Sequence, residues 1–381
     1  MLRIKAIDMH TAGEPTRIVY SGLPALPPML QSLAEKRQYF RDHCDGIRRC
    51  LMLEPRGHQG MYGALILPRS LDAKGAAAQV VFICASEPGY TTMCGHATFA
   101  LARFLVDYVT LIDVTKLSES DRFALPDPEA YQYDPVARTK KFQIEVPCGL
   151  LDVTVPVQED GKSDPSRAAS FISVPASAHL DISIDLPPPD RTVPLTDNEA
   201  KNDIMTGDLA YGGGWYFITP AASLGIIDLS NLSLLSSHQE KATALLQHLR
   251  TIPSIAISTH PDSLYGVILS APLSDPPEGA TQSHLGLCVF ASGQLDRSPT
   301  GGAVVARQAA AFVRGAAGEG DRFAYYSPTS LALGPKGAFV GSVVVKGEEV
   351  RVRVSGMAFY TGKLEVLVES VDPLGVNGFV V

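Results

Sequence analysis

Cys94-Gly95-His96-Ala97-Thr98-Phe99-Ala100-Leu101-Ala102-Arg103-Phe104-Leu105-Val106-Asp107 is the stretch on which the fold turns. Ala97, Leu101 and Leu105 recur every four residues with Ala100 and Phe104 beside them, which predicts a helix with a buried face over 94–107. The short apolar run VVFICAS at 80–86, just ahead of it, reads as a strand. GGAVVARQAAAFVRG at 301–315 repeats the build. There Val305, Ala309 and Phe312 mark an apolar face, and Gly315 is a stop signal. Aligning Cys94 with Thr300 pairs Gly95 with Gly301, Ala97 with Ala303 and Ala100 with Ala306. Each half of the chain thus has a loop that feeds a glycine and then an apolar helix.

Working outward, the strand signals outnumber the helical ones. FQIEVP, Cys148-Gly149 and LLDVTVPV read as a hairpin in which Leu151, Val153, Val155 and Val157 share a face. AFVGSVVVKGEEVRVRVSG at 338–356 reads as another, turning near Lys346–Glu349. HQEKATALLQHLR, about 238–250, predicts a peripheral amphipathic helix. Residues 117–140 are polar and Pro-rich and read as an inserted surface loop. PPPD at 187–190, followed by RTVPLTD, reads as a linker. The expected organisation is two α/β halves. Residues 1–190 carry Cys94, with 361–381 as a possible completing segment, and residues 191–360 carry Asp296 and Thr300.

Composition removes several function classes. The 381 residues suit two or three domains or one large one. The net charge is −8 and no basic block stands out, which argues against a nucleic-acid partner. No apolar run reaches the ~18–20 residues of a membrane helix. The start MLRIKAIDMHTAGEPTR has no secretory apolar core, so a cytoplasmic location is expected. Cysteines at 44, 50, 84, 94, 148 and 288 form no Cys-x-x-Cys pair and are expected as free thiols. His43, Cys44 and Cys50 come nearest to a zinc set but lie among Arg41, Arg48 and Arg49, so no metal is expected. Phosphate-loop, nucleotide-binding, zincin and nucleophile-elbow patterns are absent, so no cofactor is expected.

Four constellations remain. Cys94 falls at a helix start, where unpaired amides and the dipole favour a partly ionised thiol, with Gly95 allowing close approach and His96 next door. The alternative is a buried cysteine beside a Gly-His turn. Asp296-Arg297-Ser298-Pro299-Thr300-Gly301-Gly302 reads either as ordinary N-cap chemistry or as a second amide nest, with Asp296 placed for an ammonium group. Met9-His10-Thr11-Ala12-Gly13-Glu14-Pro15-Thr16-Arg17 is, physically, a turn between two strands. Gly212-Gly213-Gly214-Trp215-Tyr216-Phe217 signals close backbone approach or flexibility.

These pieces, in this order, resemble the proline racemase family. MHTAGEPTRIV is similar to its opening motif, MCGHATFALARFL to its first cysteine motif, GGGWYF to its glycine-aromatic strand and DRSPTGG to its second cysteine motif. The resemblance implies two pseudo-symmetric α/β halves of the diaminopimelate epimerase/proline racemase-like fold, with the active site in the cleft between them. It implies catalytic roles for Cys94 and Thr300 and substrate contacts from Gly95, His96, Asp296, Gly301 and Gly302. Racemases of the family use two cysteines, and Thr300 in the second place resembles the branch that dehydrates trans-3-hydroxy-L-proline to Δ1-pyrroline-2-carboxylate. A threonine hydroxyl is too weak an acid to replace a thiol near neutral pH, which agrees with that branch. A small imino acid substrate and a homodimer are the expected partners. Racemase, epimerase or non-catalytic binding roles are the alternatives. The chain departs from the family pattern at Ala12 and Ala97, where glycine is usual, and at Gly302, Ala303 and Val304, where Thr-Gly-Thr is usual.

Overall fold

A helix that is apolar on every side has to be wrapped, and the strands do this. The computed structural model describes residues 1–69, 75–127, 130–186, 204–258, 263–375 and 377–380. The first predicted helix runs Gly95–Leu111 and is buried from Gly95 through Tyr108. Its two charged residues are both satisfied. Arg103 donates to Ser163 Oγ (3.0 Å) and to the Ala358 carbonyl, and Asp107 accepts from Ser163 N (2.7 Å), Ser163 Oγ (2.6 Å) and the Tyr360 hydroxyl (2.8 Å).

Strand Leu2–Thr11 pairs antiparallel with Glu14–Ser21 on one side and with Ala358–Val368 on the other. From Glu14–Ser21 the sheet continues through Tyr62–Leu67, Ala78–Cys84, Thr139–Val146, Gly149–Pro156 and Ala169–Ile172 to Glu349–Gly356. The chain then passes from Glu349–Gly356 directly into Ala358–Val368, which brings the sheet back to its first strand around the helix.

Glu349–Gly356 also begins the second sheet. Pairing runs on through Phe339–Lys346, Arg322–Tyr326, Gln282–Phe290, Leu264–Leu273, Trp215–Pro220, Ile204–Tyr211 and Ser177–Asp185. Helix Gly301–Val313 packs inside this second sheet. It is buried on all sides from Gly301 to Ala310, so the single apolar face expected from Val305, Ala309 and Phe312 was too narrow. Arg307 is accommodated by donating to the Leu285 carbonyl (3.1 Å) and stacking on Tyr325. Gly315 ends the element at φ +76°, as a stop residue should.

Both predicted hairpins are present, and the third helix runs Leu235–Leu249 with Ala242, Leu245, Leu246 and Leu249 buried. Two expectations need correcting. Residues 117–140 contain helix Glu119–Ala124 and strand Gln132–Asp134, with Leu117, Ala124, Leu125 and Tyr131 buried. Their polar neighbours hid these anchors. Helices Leu33–His43 and Asp45–Met52 carry no long apolar period, the first because it is mostly polar and the second because it is only eight residues long. The signal for the first was Ser32 with Glu35, a capping box in which Ser32 Oγ accepts from Glu35 N and Glu35 Oε2 from Ser32 N. The expected linker at 187–190 lies outside the described residues.

Candidate active site

The two buried helices meet start to start. A Cβ on Gly95 would stand 2.3 Å from Gly301 Cα, and one on Gly301 would stand 2.4 Å from Gly95 Cα. Side chains are excluded at both positions, so the weak sequence echo between the halves corresponds to a contact between their helix N-termini.

Cys94 is the N-cap of the first helix. Its backbone is extended (φ −150°) and its Sγ accepts from Ala97 N at 3.4 Å. His96 links the two motifs, with Nδ1 3.2 Å from Cys94 Sγ and 3.6 Å from Asp296 Oδ2. The Tyr62 ring meets His96 edge-on at 4.7 Å, and the Tyr62 hydroxyl is hydrogen-bonded to Thr91 Oγ1. Thr300 holds the matching place on the second helix, but differently. Its φ is +59°, a left-handed conformation that a β-branched residue rarely adopts. It makes no side-chain cap, and Oγ1 instead donates to Asp296 Oδ2 at 2.8 Å. Ordinary N-cap chemistry, one of the two sequence readings, is therefore not what Thr300 performs. Ser298 N donates to Asp296 Oδ1 (2.8 Å), and Thr300 N donates to Ser298 Oγ (3.2 Å).

Cys94, His96, Asp296 and Thr300 are each at most 7% exposed, so the cluster is closed to solvent. Burial pushes the Cys94 thiol well above its ordinary value, and the Asp296 carboxylate pushes it further, against the Ala97 amide and the Tyr62 hydroxyl. This corrects the expectation of a partly ionised thiol, because burial outweighs the helix start. Burial would also raise Asp296, but the His96 ring, Ser298 and Thr300 outweigh it and hold its carboxyl below the usual range.

The other two constellations converge on the same place. A Cβ on Gly212 would lie 2.1 Å from the Gly302 carbonyl, and one on Gly302 would lie 2.6 Å from the Tyr216 hydroxyl. The triple glycine therefore presses its backbone onto the second helix start, which decides between close approach and flexibility. Thr92 Oγ1 donates to the Gly213 carbonyl (2.8 Å) and ties the turn to the first half. From the opening motif, Thr11 Oγ1 donates to the His96 carbonyl (2.9 Å) and Glu14 Oε2 accepts from Arg297 N (2.9 Å). Sequence reasoning gave Thr11, Glu14, Tyr62 and Tyr216 no role. Glu14 carried a signal, being an acidic residue inside an otherwise tight turn.

Comparison with known proteins shows the family and the fold. The proline racemase sequence model matches residues 6–123 and 133–380. A Xenopus tropicalis protein named trans-L-3-hydroxyproline dehydratase is 34% identical over 97% of this chain and 93% of its own length. A Burkholderia multivorans protein named 3-hydroxyproline 2-epimerase is 31% identical over 99% of this chain and 98% of its own. The crystal structure of a probable proline racemase from Agrobacterium radiobacter, 20% identical, superimposes with a TM-score of 0.75 over 99% of this chain and 96% of that one, so the fold is shared. With both cysteine-type motifs brought to one closed cluster and the family pattern covering nearly the whole length, the chain belongs to the proline racemase family.

Proposed function

We propose that the protein dehydrates trans-3-hydroxy-L-proline to Δ1-pyrroline-2-carboxylate and water, using Cys94 as base and no metal or organic cofactor. The active site lies between a half carrying Cys94, to which strand Ala358–Val368 returns, and a half that begins with strand Ser177–Asp185 and carries Asp296 and Thr300. The substrate carboxylate rests on the amides at the two helix starts, at Gly95 and His96 on one side and Gly301 and Gly302 on the other. Asp296 faces the ring nitrogen. Its two oxygens already accept from Ser298 and Thr300, and a carboxylate has room for further donors.

Cys94 reaches its reactive form by passing the thiol proton toward His96, 3.2 Å away. The thiolate then removes the Cα proton. The electron pair of that C–H bond forms the Cα–C3 double bond as the C3–O bond breaks. We assign Thr300 Oγ1, now donating to Asp296 Oδ2, to hydrogen-bond the departing oxygen. The proton that His96 took from the thiol passes to the departing hydroxide to make water, and the Cα proton, now on Cys94 Sγ, restores the thiol. The enamine then moves its N–H proton to C3 to give the imine.

One observation carries this reading. At the second helix start, where the racemases it resembles carry a cysteine, Thr300 presents a hydroxyl bound to the Asp296 carboxylate, and burial holds the neighbouring Cys288 thiol above its ordinary value, so this side offers no readily ionised thiol to return a proton. The test is to incubate the pure protein with trans-3-hydroxy-L-proline, 4-hydroxyproline and L-proline. A pyrroline product from the first alone is expected, unchanged after dialysis against EDTA. The 3-hydroxyproline 2-epimerase relative supports a second reading, inversion at Cα. Deuterium gained at Cα of recovered substrate, with no pyrroline, would select it.

A further inference from the structure

Arg297, the residue after Asp296, is held from every side. Its N–H donates to Glu14 Oε2 at 2.9 Å, and its carbonyl accepts from Thr329 Oγ1 at 2.5 Å and from Ser327 Oγ. Its guanidinium lies 3.6 Å from Glu14 Oε2 and so close to Gly60 that a Cβ there would come within 2.6 Å of it. Glu14 closes the two-residue turn Ala12-Gly13, and Thr11 on the other arm donates to the His96 carbonyl. One hairpin therefore grips both His96 and the neighbour of Asp296. Beside it a cavity of about 460 Å³, lined by His58 and Ser86 from one half and by Gln294 and Arg297 from the other, interrupts the packing between the halves.

We propose that Glu14 is a positioning residue that latches the two halves together at Arg297 and thereby sets Asp296 against His96. Its side chain is fully buried, and Oε1 has no partner among the described residues. An ionised carboxylate with one bare buried oxygen is unfavourable, so the latch works as a neutral acid. Burial and the nearby Asp296 carboxylate raise its pKa well above the ordinary value against the pull of Arg297. The charged and titratable groups that face it are Asp296 and Arg297 from the second half and Cys84 and Cys94 from the first. Rising pH ionises Glu14 beside Asp296, and the latch weakens.

Glu14→Gln keeps the shape of the neutral acid and cannot ionise, whereas Glu14→Ala removes the latch. Two measurements separate them. The first, kcat for dehydration against pH, rests on the dehydratase reading. The Gln variant should stay within about threefold of wild type at pH 7, with its ratio to wild type rising as pH is raised, and the Ala variant should fall at least ~10-fold in kcat. The second, alkylation of Cys94 by iodoacetamide at pH 7.5, needs no substrate. The Ala variant should react about tenfold faster than wild type as the cluster opens, and the Gln variant should not. Alanine and glutamine variants that behave alike in alkylation overturn the latch, even if dehydration proceeds. Separation in alkylation without any dehydration keeps the latch and sinks the proposed reaction.

Discussion

The Cys94 and Thr300 helix starts sit back to back with their glycines in contact, yet their first residues face opposite tasks. Cys94 is extended, and its sulfur caps its own helix through Ala97 N. Thr300 is left-handed, caps nothing, and turns its hydroxyl onto Asp296. The fold brings two helix starts together, and on the proposed reading the first side chain of each decides the chemistry between them. A thiol in both places gives a donor and an acceptor on opposite faces of Cα. A thiol facing a carboxylate-bound hydroxyl leaves one base and one hydrogen-bonding group. On the proposed reading, the difference between inversion and elimination rests first on position 300.

The largest effect should come from removing the base. Cys94→Ser keeps an excellent N-cap, so the fold should survive with an unchanged circular dichroism spectrum. Turnover should fall at least ~100-fold, the scale of a lost general base. A variant that retained a tenth of wild-type activity would remove Cys94 from the chemistry.

Thr300→Cys sharpens the comparison by making the two starts alike. Wild type should not invert L-proline. The variant should gain measurable inversion of L-proline or 4-hydroxyproline, read by chiral chromatography, while its dehydration rate falls about tenfold or more with loss of the hydroxyl. The gain should stay modest because Gly302 and Val304 still lack the hydroxyls of the usual pattern and Ala303 stands where glycine is usual. Efficient inversion by the unmodified protein would show that position 300 is not what separates the two reactions.

Much of this site was legible before any coordinates. Glycine, an N-cap-type residue and an all-apolar run are local signals, and they placed both helix starts to within a residue. The triple glycine announced close backbone approach or flexibility, and Gly212 against Gly302 is close approach. What stayed hidden depends on residues far apart in sequence. The ionisation of Cys94 turns on its burial and on Asp296, 202 positions away, so the local argument from the helix dipole pointed the wrong way. The same holds for Glu14, whose partner Arg297 is 283 residues distant. The strand Gln132–Asp134 and helix Glu119–Ala124 were missed for another reason: sparse apolar anchors among polar residues do not form a period.

The corrected state of Cys94 gives a pH test with a definite sign. A thiol ordinarily titrates near ~8.5, and burial raises that of Cys94 in the folded protein. Between those two values the folded state holds more protons than the unfolded one, so stability falls as pH rises through that window. Cys94→Ser has nothing to ionise there. The melting temperature of the serine variant minus that of wild type should therefore grow from pH 8 to pH 10. Alkylation of Cys94 should be slower than that of an exposed cysteine at pH 7.5, quicken with pH, and be slowed by pyrrole-2-carboxylate, a planar mimic of the carbanion. Rapid alkylation at pH 7 would mean that His96 already holds the thiol proton in the resting protein.

The smallest expected effect concerns a second left-handed residue beside the site. Like Thr300, Ala12 has positive φ, +51°, in the turn that carries Thr11 and Glu14. Thr300 is held there by its bond to Asp296, whereas Ala12 has only the turn and its own burial, at 3% exposure. Replacing it with glycine changes three terms. Relief of the left-handed conformation stabilises by about 1–2 kcal/mol. Loss of a buried methyl costs about 0.8 kcal/mol. The looser unfolded chain costs a further ~0.4–1 kcal/mol. These nearly cancel, which explains how alanine can stand where the family pattern has glycine. Ala12→Gly should move the urea midpoint by an amount equivalent to less than about 1 kcal/mol, with no change in m-value. A gain above ~1.5 kcal/mol would mean that the turn stores strain as Thr300 does, and an equal loss would mean that the Ala12 methyl is part of what holds Thr11 and Glu14 in place.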